Sequence, residues 1–396
     1  MKVPLLDVNA QNLPIEEELS EAWQRVLQSG RFILGPEVDA FEEECARLVG
    51  SAHAVAVSSG TDALLAALMA RGIGHGDEVL VPTFSFFATG GSVWRTGATP
   101  VFVDVCPVCF NIDPDKAAAK VTGRTRAIIP VHLFGQAADM DKVMGLALEH
   151  DLMVIEDAAQ SFGARHRACP CGSIGDVGCF SFFPSKNLGG FGDGGLITTS
   201  DDELADRLRQ LRNHGMNPKY YHPMVGGNFR MDALQCALLR VKLRHYPEYG
   251  AGRRRNANYY TDRMSQIPGV VVADPKHCKC PAAQQEAITA ADAGIILPVA
   301  YPHNEHIWNQ YTLRVLGEGR RDALRKHLTE AGVGCDIYYP VTMDRQECFA
   351  ATPEASRSDC EVAHRLAGEV LSIPVYPELS DQQKDEVISA IAGFLG

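Results

Sequence analysis

The sequence predicts an α/β protein: a large domain on a mostly parallel mixed sheet flanked by helices, followed by a smaller C-terminal α+β domain. Three observations carry that expectation. Through roughly residue 245, short apolar runs alternate with longer amphipathic segments, the pattern of strands and crossover helices around a parallel sheet. The apolar runs are nearly continuous, as strands covered on both faces require. At 396 residues the chain is also too long for one ordinary hydrophobic core, and beyond Pro268 its runs shorten.

In chain order the expected strands are residues 54–58, 78–82, 100–104, 127–131, 152–157, 178–183 and 195–199. Helical spacing lies between several of them, as in Asp62–Ala70 and Met140–His150. A long helix from Met231 to His245 closes this part, and a further helix reaches about Met264. The basic run Arg253-Arg254-Arg255 sits between the two and reads as a solvated helix face rather than a phosphate patch. Residues 1–248, N-terminal segment included, are expected to form the large domain and 249–396 the small one, which ends in an amphipathic helix at Gln382–Phe394. Residues 274–306, rich in Pro, His, Ala and Cys without clear periodicity, read as a surface insertion.

Composition narrows the function classes. A chain with 46% hydrophobic and 22% charged residues is an ordinary globular protein. A formal charge of −12 speaks against a nucleic-acid partner, because the phosphate backbone is bound mainly by Lys and Arg. The start has no basic region followed by an apolar run, and no stretch approaches the roughly 18 apolar residues of a membrane helix. A cytoplasmic protein with no membrane partner is expected. The twelve cysteines include three close pairs, Cys106/Cys109, Cys169/Cys171 and Cys278/Cys280. Only the first has the spacing common in zinc sites, and without a secretion signal disulfides are disfavoured, so reduced thiols are expected and no metal ligand is assigned.

Three segments carry chemistry, each where a strand gives way to a loop or helix, the edge at which open α/β sheets bind ligands. The first is Ser58-Ser59-Gly60-Thr61-Asp62-Ala63-Leu64. Its small-residue turn opens a helix whose free N–H groups suit a phosphate, although alone it is also an ordinary helix cap. The second is Val154-Ile155-Glu156-Asp157-Ala158-Ala159-Gln160. Carboxylates at the end of a buried strand call for a partner, and a protonated pyridine nitrogen is one; a plain helix cap is another. The third is Ser181 to Gly195, with Lys186 alone among aromatic and glycine residues. Such a setting disfavours the ammonium and frees the amine as nucleophile and base, though a surface loop lysine would look similar. In this order a phosphate cradle, a ring-nitrogen partner and a nucleophilic lysine match the three handles of pyridoxal 5'-phosphate (PLP).

At this point the chain resembles the DegT/DnrJ/EryC1/StrS family of nucleotide-sugar aminotransferases, of PLP fold type I. The resemblance runs from FILGPEVDAFE (32–42) to LSIPVYPEL (371–379) and includes SSGTDAL, GDEVLVPTFSF, AIIPVHLFGQ, IEDAAQSFGA, SFFPSKNLGGFGDGG, GGNFRMDALQCALL and IWNQYTLRV. It implies that Lys186 holds PLP as the internal aldimine and shuttles the proton, Asp157 pairs with the pyridinium nitrogen, and Gln160 lies near the ring's phenolic oxygen. Phe86 would stack on the ring, and Gly60, Thr61 and Ser181 would bind the phosphate. Asn228 would reach the cofactor of the neighbouring subunit in a homodimer with shared active sites, while Arg230, Tyr338 and Tyr339 would face the substrate.

The implied reaction moves an amino group from L-glutamate to a ketone on a nucleotide-linked sugar. Gln160 resembles members acting on 3-keto sugars, where those acting on 4-keto sugars more often carry His, so C3 is favoured. A 4-keto-sugar or cyclitol (scyllo-inosose-type) aminotransferase remains open. A dehydratase of the same family would carry His in place of Lys186, and a PLP-binding regulator would be expected to have lost site residues. The chain departs from the family in Tyr338-Tyr339-Pro340, where many relatives read His-Tyr-Pro, in residues 274–306 and in CPVCF (106–110).

Overall fold

A computed structural model describes residues 2–273, 294–350, 352 and 358–396. Among these the strands are β1 (His53–Val57), β2 (Glu78–Pro82), β3 (Thr99–Val103), β4 (Thr125–Ile128), β5 (Met153–Asp157), β6 (Arg165–His166), β7 (Cys169–Pro170), β8 (Val177–Ser181), β9 (Gly195–Thr199), β10 (Val270–Val272), β11 (Ile295–Leu297), β12 (Asn304–Glu305), β13 (Tyr311–Val315) and β14 (Val370–Ile373). Seven form the main sheet in the order β1-β9-β8-β5-β4-β2-β3. All of its strands run the same way except β9, which is antiparallel to β1 and to β8. The ends of β1, β2, β4, β5 and β8 and the beginning of β9 therefore share one edge.

Helices cover both faces. Helix Gly60–Ala70 starts where Ser59 accepts a hydrogen bond from the Asp62 amide, and it buries seven of its residues. Its Leu64 and Leu68 pack with Val55, Val57, Val79 and Val81 of the sheet, each such leucine contributing about 1.5–3 kcal/mol by burial. On the opposite face lie helices Glu16–Ser29 and Pro36–Val49 and the first part of helix Ala233–Met264. The smaller sheet, β10-β11-β13-β14, has an apolar core of its own, shared with helices Arg320–Glu330 and Asp381–Leu395. The last helix begins with a Ser380/Gln383 capping box, which satisfies two otherwise orphaned N–H groups.

The expected strands of the main sheet are found with ends shifted by up to three residues. Three readings differ. The helices expected on either side of residue 248 are one helix of 32 residues, Ala233–Met264, with Pro247 inside it. Proline disfavours a helix interior by removing an N–H, yet Tyr246, Tyr249, Gly250 and Gly252 are buried around it and hold the helix through. Arg253 is not on a solvated face: it is 2% exposed and donates to the carbonyls of Trp308 and Asn309, while Arg254 and Arg255 are exposed. Of the segment 274–306, residues 274–293 lie outside the described residues together with Cys278 and Cys280. The rest is not a plain insertion, since β11 is a buried inner strand of the small sheet and β12 pairs with β6. Strands of two or three residues are too short to show a period.

The edge that gathers the chain's motifs depends on close backbone contact. Gly195 opens β9 opposite both Val57 and Ser181, and a Cβ built there would meet the Ser59 carbonyl group at 2.4 Å. No side chain can swing away to relieve that clash. Gly195→Ala is expected to cost about 1–3 kcal/mol, as overpacking does, and to part β9 from the start of helix Gly60–Ala70; urea unfolding against the parent chain measures it.

Candidate active site

The site is built at the common edge. After β1 the chain turns through Ser58 and Ser59 into the helix beginning at Gly60. The first N–H groups of a helix have no partner within it, so the amides of Gly60 and Thr61 stand at its positive end, ready for an anion. Gly60 lies so near the end of β8 that a Cβ on it would come within 2.8 Å of the Ser181 Cβ. A larger residue would collide there and push the helix start away from the end of β8.

From Ser181 the chain enters a tight loop: Phe182 N–H donates to Gly194 O, Gly190 N–H to Phe182 O, and Lys186 N–H to Phe183 O. Asn187 anchors the loop by donating to Ile307 O at 3.0 Å. Lys186, partly buried, has its ammonium pushed down to about 8 by burial, against the opposing pull of Asp157. Near neutral pH far more of this amine is unprotonated than of an ordinary lysine, as a nucleophile requires.

Asp157 ends β5 at 5% exposure. Burial pushes its carboxyl above the usual range, opposed by hydrogen bonds from the Thr89 hydroxyl (2.8 Å) and the Ala159 amide (3.2 Å) and by the charge of Lys186. A buried carboxylate in that state is under-compensated, and a further cation beside it would restore its ordinary acidity. Its neighbour Glu156 points to the other side of the sheet, because strand side chains alternate. Glu156 accepts from the amides of Gly172, Ile174 and Gly175, each at 2.7 Å, and from His132 Nε2 at 2.8 Å. His132 Nδ1 accepts from the Ala138 amide at 3.1 Å, which assigns the ring proton to Nε2.

The atoms of His132, Glu156 and Cys171 that could bind a metal lie within 4.8 Å of one another. The carboxylate and the imidazole are already occupied by these hydrogen bonds, so the group braces β5 and the 172–175 turn. The ten described cysteines form no disulfide with one another.

Gln160 follows Asp157 by three residues and bridges two loops. Its Oε1 accepts from the Phe134 amide at 2.7 Å, and its Nε2 donates to the Tyr339 hydroxyl at 3.0 Å. The backbone donor fixes which end of the amide is which, so Nε2, with a second N–H to give, is the end toward Tyr339. Tyr339 packs its ring 6.2 Å from that of Phe86, which is 58% exposed. Tyr338, next to it, is partly buried.

The chain thus brings Gly60, Thr61, Phe86, Asp157, Gln160, Ser181, Lys186 and Tyr339 to one region. Arg230 joins them through a bridge between its backbone and Val57, and it donates to Asn213 Oδ1 at 2.7 Å. Asn228 is exposed, and its backbone bridges to Asn213. Sequence reasoning passes over Thr89, which holds Asp157 directly; a threonine in Ala88–Arg95 carries no signal of its own.

Known proteins resemble this chain along its whole length. The DegT/DnrJ/EryC1/StrS aminotransferase family model matches residues 14–392. The chain is 41% identical to a pleiotropic regulatory protein of Geobacillus stearothermophilus over 394 residues, covering 100% of this chain and 99% of that one. It is 41% identical to the UDP-N-acetyl-3-dehydro-α-D-glucosamine 3-aminotransferase of Acidithiobacillus ferrooxidans over 389 residues, 98% of this chain and 97% of the relative. Among solved structures it resembles S. venezuelae DesV in complex with a ketimine intermediate, with a TM-score of 0.89 and 40% identity over 99% of this chain and 98% of that one. That is a PLP fold type I architecture, and the family depends on PLP. With a family model spanning nearly its whole length, this chain belongs to the DegT/DnrJ/EryC1/StrS aminotransferases.

Proposed function

We propose that the protein moves an amino group from L-glutamate to the C3 ketone of a nucleotide-linked sugar, using PLP held by Lys186. The observation that carries this reading is a lysine amine of lowered basicity beside a buried, under-compensated carboxylate, at the open N-terminus of a helix. The residues fit the cofactor: Asp157 lacks a full countercharge, which the ring nitrogen would provide, and the close approach of Gly60 to Ser181 brings the helix amides and the Ser181 hydroxyl together for a phosphate. C3 is supported by the presence of Gln160 and by the name of the A. ferrooxidans relative.

In this reading the Gly60 and Thr61 amides and Ser181 would hold the phosphate, Phe86 would cover one ring face, and Gln160 Nε2 would have a second N–H to offer the phenolic oxygen. Asp157 keeps the ring nitrogen protonated. When bound, the cofactor supplies a sink for the electron pair left at the donor's α-carbon. Lys186 Nζ takes up the proton lost there and returns it at the receiving carbon, a positioned general-base and general-acid role. Arg230, Tyr338 and Tyr339 face the substrate. Asn228 reaches the cofactor of a second subunit in a homodimer, a placement supported by its exposure and by the exposed rings of Phe86 and Phe183 at the mouth of the site, since exposed apolar patches mark contact surfaces. The division at residue 248 is proposed on the separate apolar core of the small sheet. The cytoplasm is proposed as the place of action. The name of the G. stearothermophilus relative supports a second reading, a PLP-binding regulator, which turnover separates.

Purified protein should show a visible absorption band that borohydride abolishes, leaving the reduced adduct on the Lys186 peptide; an adduct on another lysine would sink the assignment. Recapture of PLP by the apoprotein should accelerate with pH and be half-maximal near 8, because only the neutral Lys186 amine attacks. Lys186→Ala should lose at least roughly a hundredfold in turnover with glutamate, the usual scale for a general acid–base group; retained turnover would contradict the role. For the acceptor, glutamate-loaded protein should regain its absorption with 3-keto nucleotide sugars and not with 4-keto sugars or scyllo-inosose. Recovery with 4-keto sugars alone would make the C3 reading wrong, and recovery with no ketone at all would favour the regulator.

A further inference from the structure

We infer that Thr89 is a positioning residue that keeps Asp157 ionised and aimed at the ring nitrogen. The inference rests on the proposed use of the site but concerns this chain's own hydrogen bonds. Thr89 is fully buried at the start of helix Ala88–Arg95, and its amide is tied to Phe86 O at 3.2 Å. Its hydroxyl lies 2.8 Å from Asp157 Oδ2 and 3.0 Å from the Ser85 hydroxyl. An ionised carboxylate can only accept, so the Thr89 proton points at Asp157. Ser85 must then donate to Thr89, and two hydroxyl dipoles line up toward the same negative charge. The Ala159 amide claims the other oxygen, Oδ1. The carboxylate is thus held at both oxygens and has little freedom to rotate.

The position of this donor ties two contacts on the ring together. Phe86, offered to the ring face, lies three residues before Thr89 in the same turn. The start of that turn is pinned where Thr83 donates to the buried Asp344 at 2.6 Å, which also accepts from Ser358 and His364. One rigid turn therefore sets both the face contact and, through Thr89, the nitrogen contact. Valine has the shape of threonine without the hydroxyl. It would keep the packing and leave Asp157 Oδ2 buried and unpaired, which favours the neutral acid and weakens its hold on a pyridinium.

The test compares apoproteins of the parent chain, Thr89→Val, Thr89→Ser and Ser85→Ala by fluorescence titration with two ligands, pyridoxamine phosphate and its 1-deaza analogue, in which carbon replaces the ring nitrogen. Thermal unfolding of each apoprotein is recorded alongside. Thr89→Val should bind pyridoxamine phosphate roughly ten- to a hundredfold more weakly, the scale of one hydrogen bond to a charged group, while its affinity for the deaza analogue changes by less than about twofold. Thr89→Ser should restore most of the loss, and Ser85→Ala, removing only the outer donor, should show a smaller loss with the same preference. Equal weakening toward both ligands would mean that Thr89 acts only through packing and would overturn the inference, as would no change toward either. A parent chain that does not distinguish the two ligands would overturn the reading of Asp157 itself.

Discussion

A carboxylate taken out of water must be matched by donors or by positive charge, and β5 carries two of them in succession. Because side chains alternate across a strand, Glu156 and Asp157 meet opposite surroundings. Glu156 is met by three backbone amides and His132, so the cost of its burial is offset locally by fixed donors. Asp157 is met by one hydroxyl and one amide, with Lys186 near enough for its charge to be felt. The first arrangement is closed. The second leaves room for a cation, and the rest of the site is disposed around that deficit.

The sheet explains how residues so far apart in the chain are brought to it. With β9 as the one antiparallel strand between β1 and β8, the end of β1, the end of β8 and the beginning of β9 fall side by side. The backbone contacts at Gly60 and Gly195 are too close for a side chain, which lets a helix N-terminus and the Lys186 loop face one another. Loops after β2, β4 and β5 then add Phe86, the Phe134 amide that orients Gln160, and Gln160 itself. A rigid scaffold with its chemistry on the loops at one edge is the general solution for open α/β sheets.

The membership of this chain in an aminotransferase family and the geometry of its site support one another without being the same argument. Family membership rests on similarity along the chain. The amine at Lys186 and the carboxylate at Asp157 rest on burial and hydrogen bonding, and these would read the same in a chain with no relatives. Tyr338, read from the sequence as a departure from the family, falls beside Tyr339, whose hydroxyl is held by Gln160.

The sequence alone indicated the main sheet's strands to within three residues and helices at Asp62–Ala70, Met140–His150 and Gln382–Phe394, and it singled out Lys186, Asp157 and the turn at Ser58–Leu64 as a candidate site. Apolar periodicity, caps and glycine-rich turns are local properties, and local residues are enough to express them. It misjudged Arg253, the helix through Pro247 and the strand Ile295–Leu297, because each is stabilised by partners far away in the chain: carbonyls of Trp308 and Asn309, a surrounding apolar core, and the strands β10 and β13. Only the tertiary structure decided that Glu156 meets four donors and Asp157 two, and that Thr89, 68 residues earlier, is one of those two. The reason is physical: whether a buried charge is balanced depends on which donors the fold brings within about 3 Å, and no spacing along the chain encodes that distance.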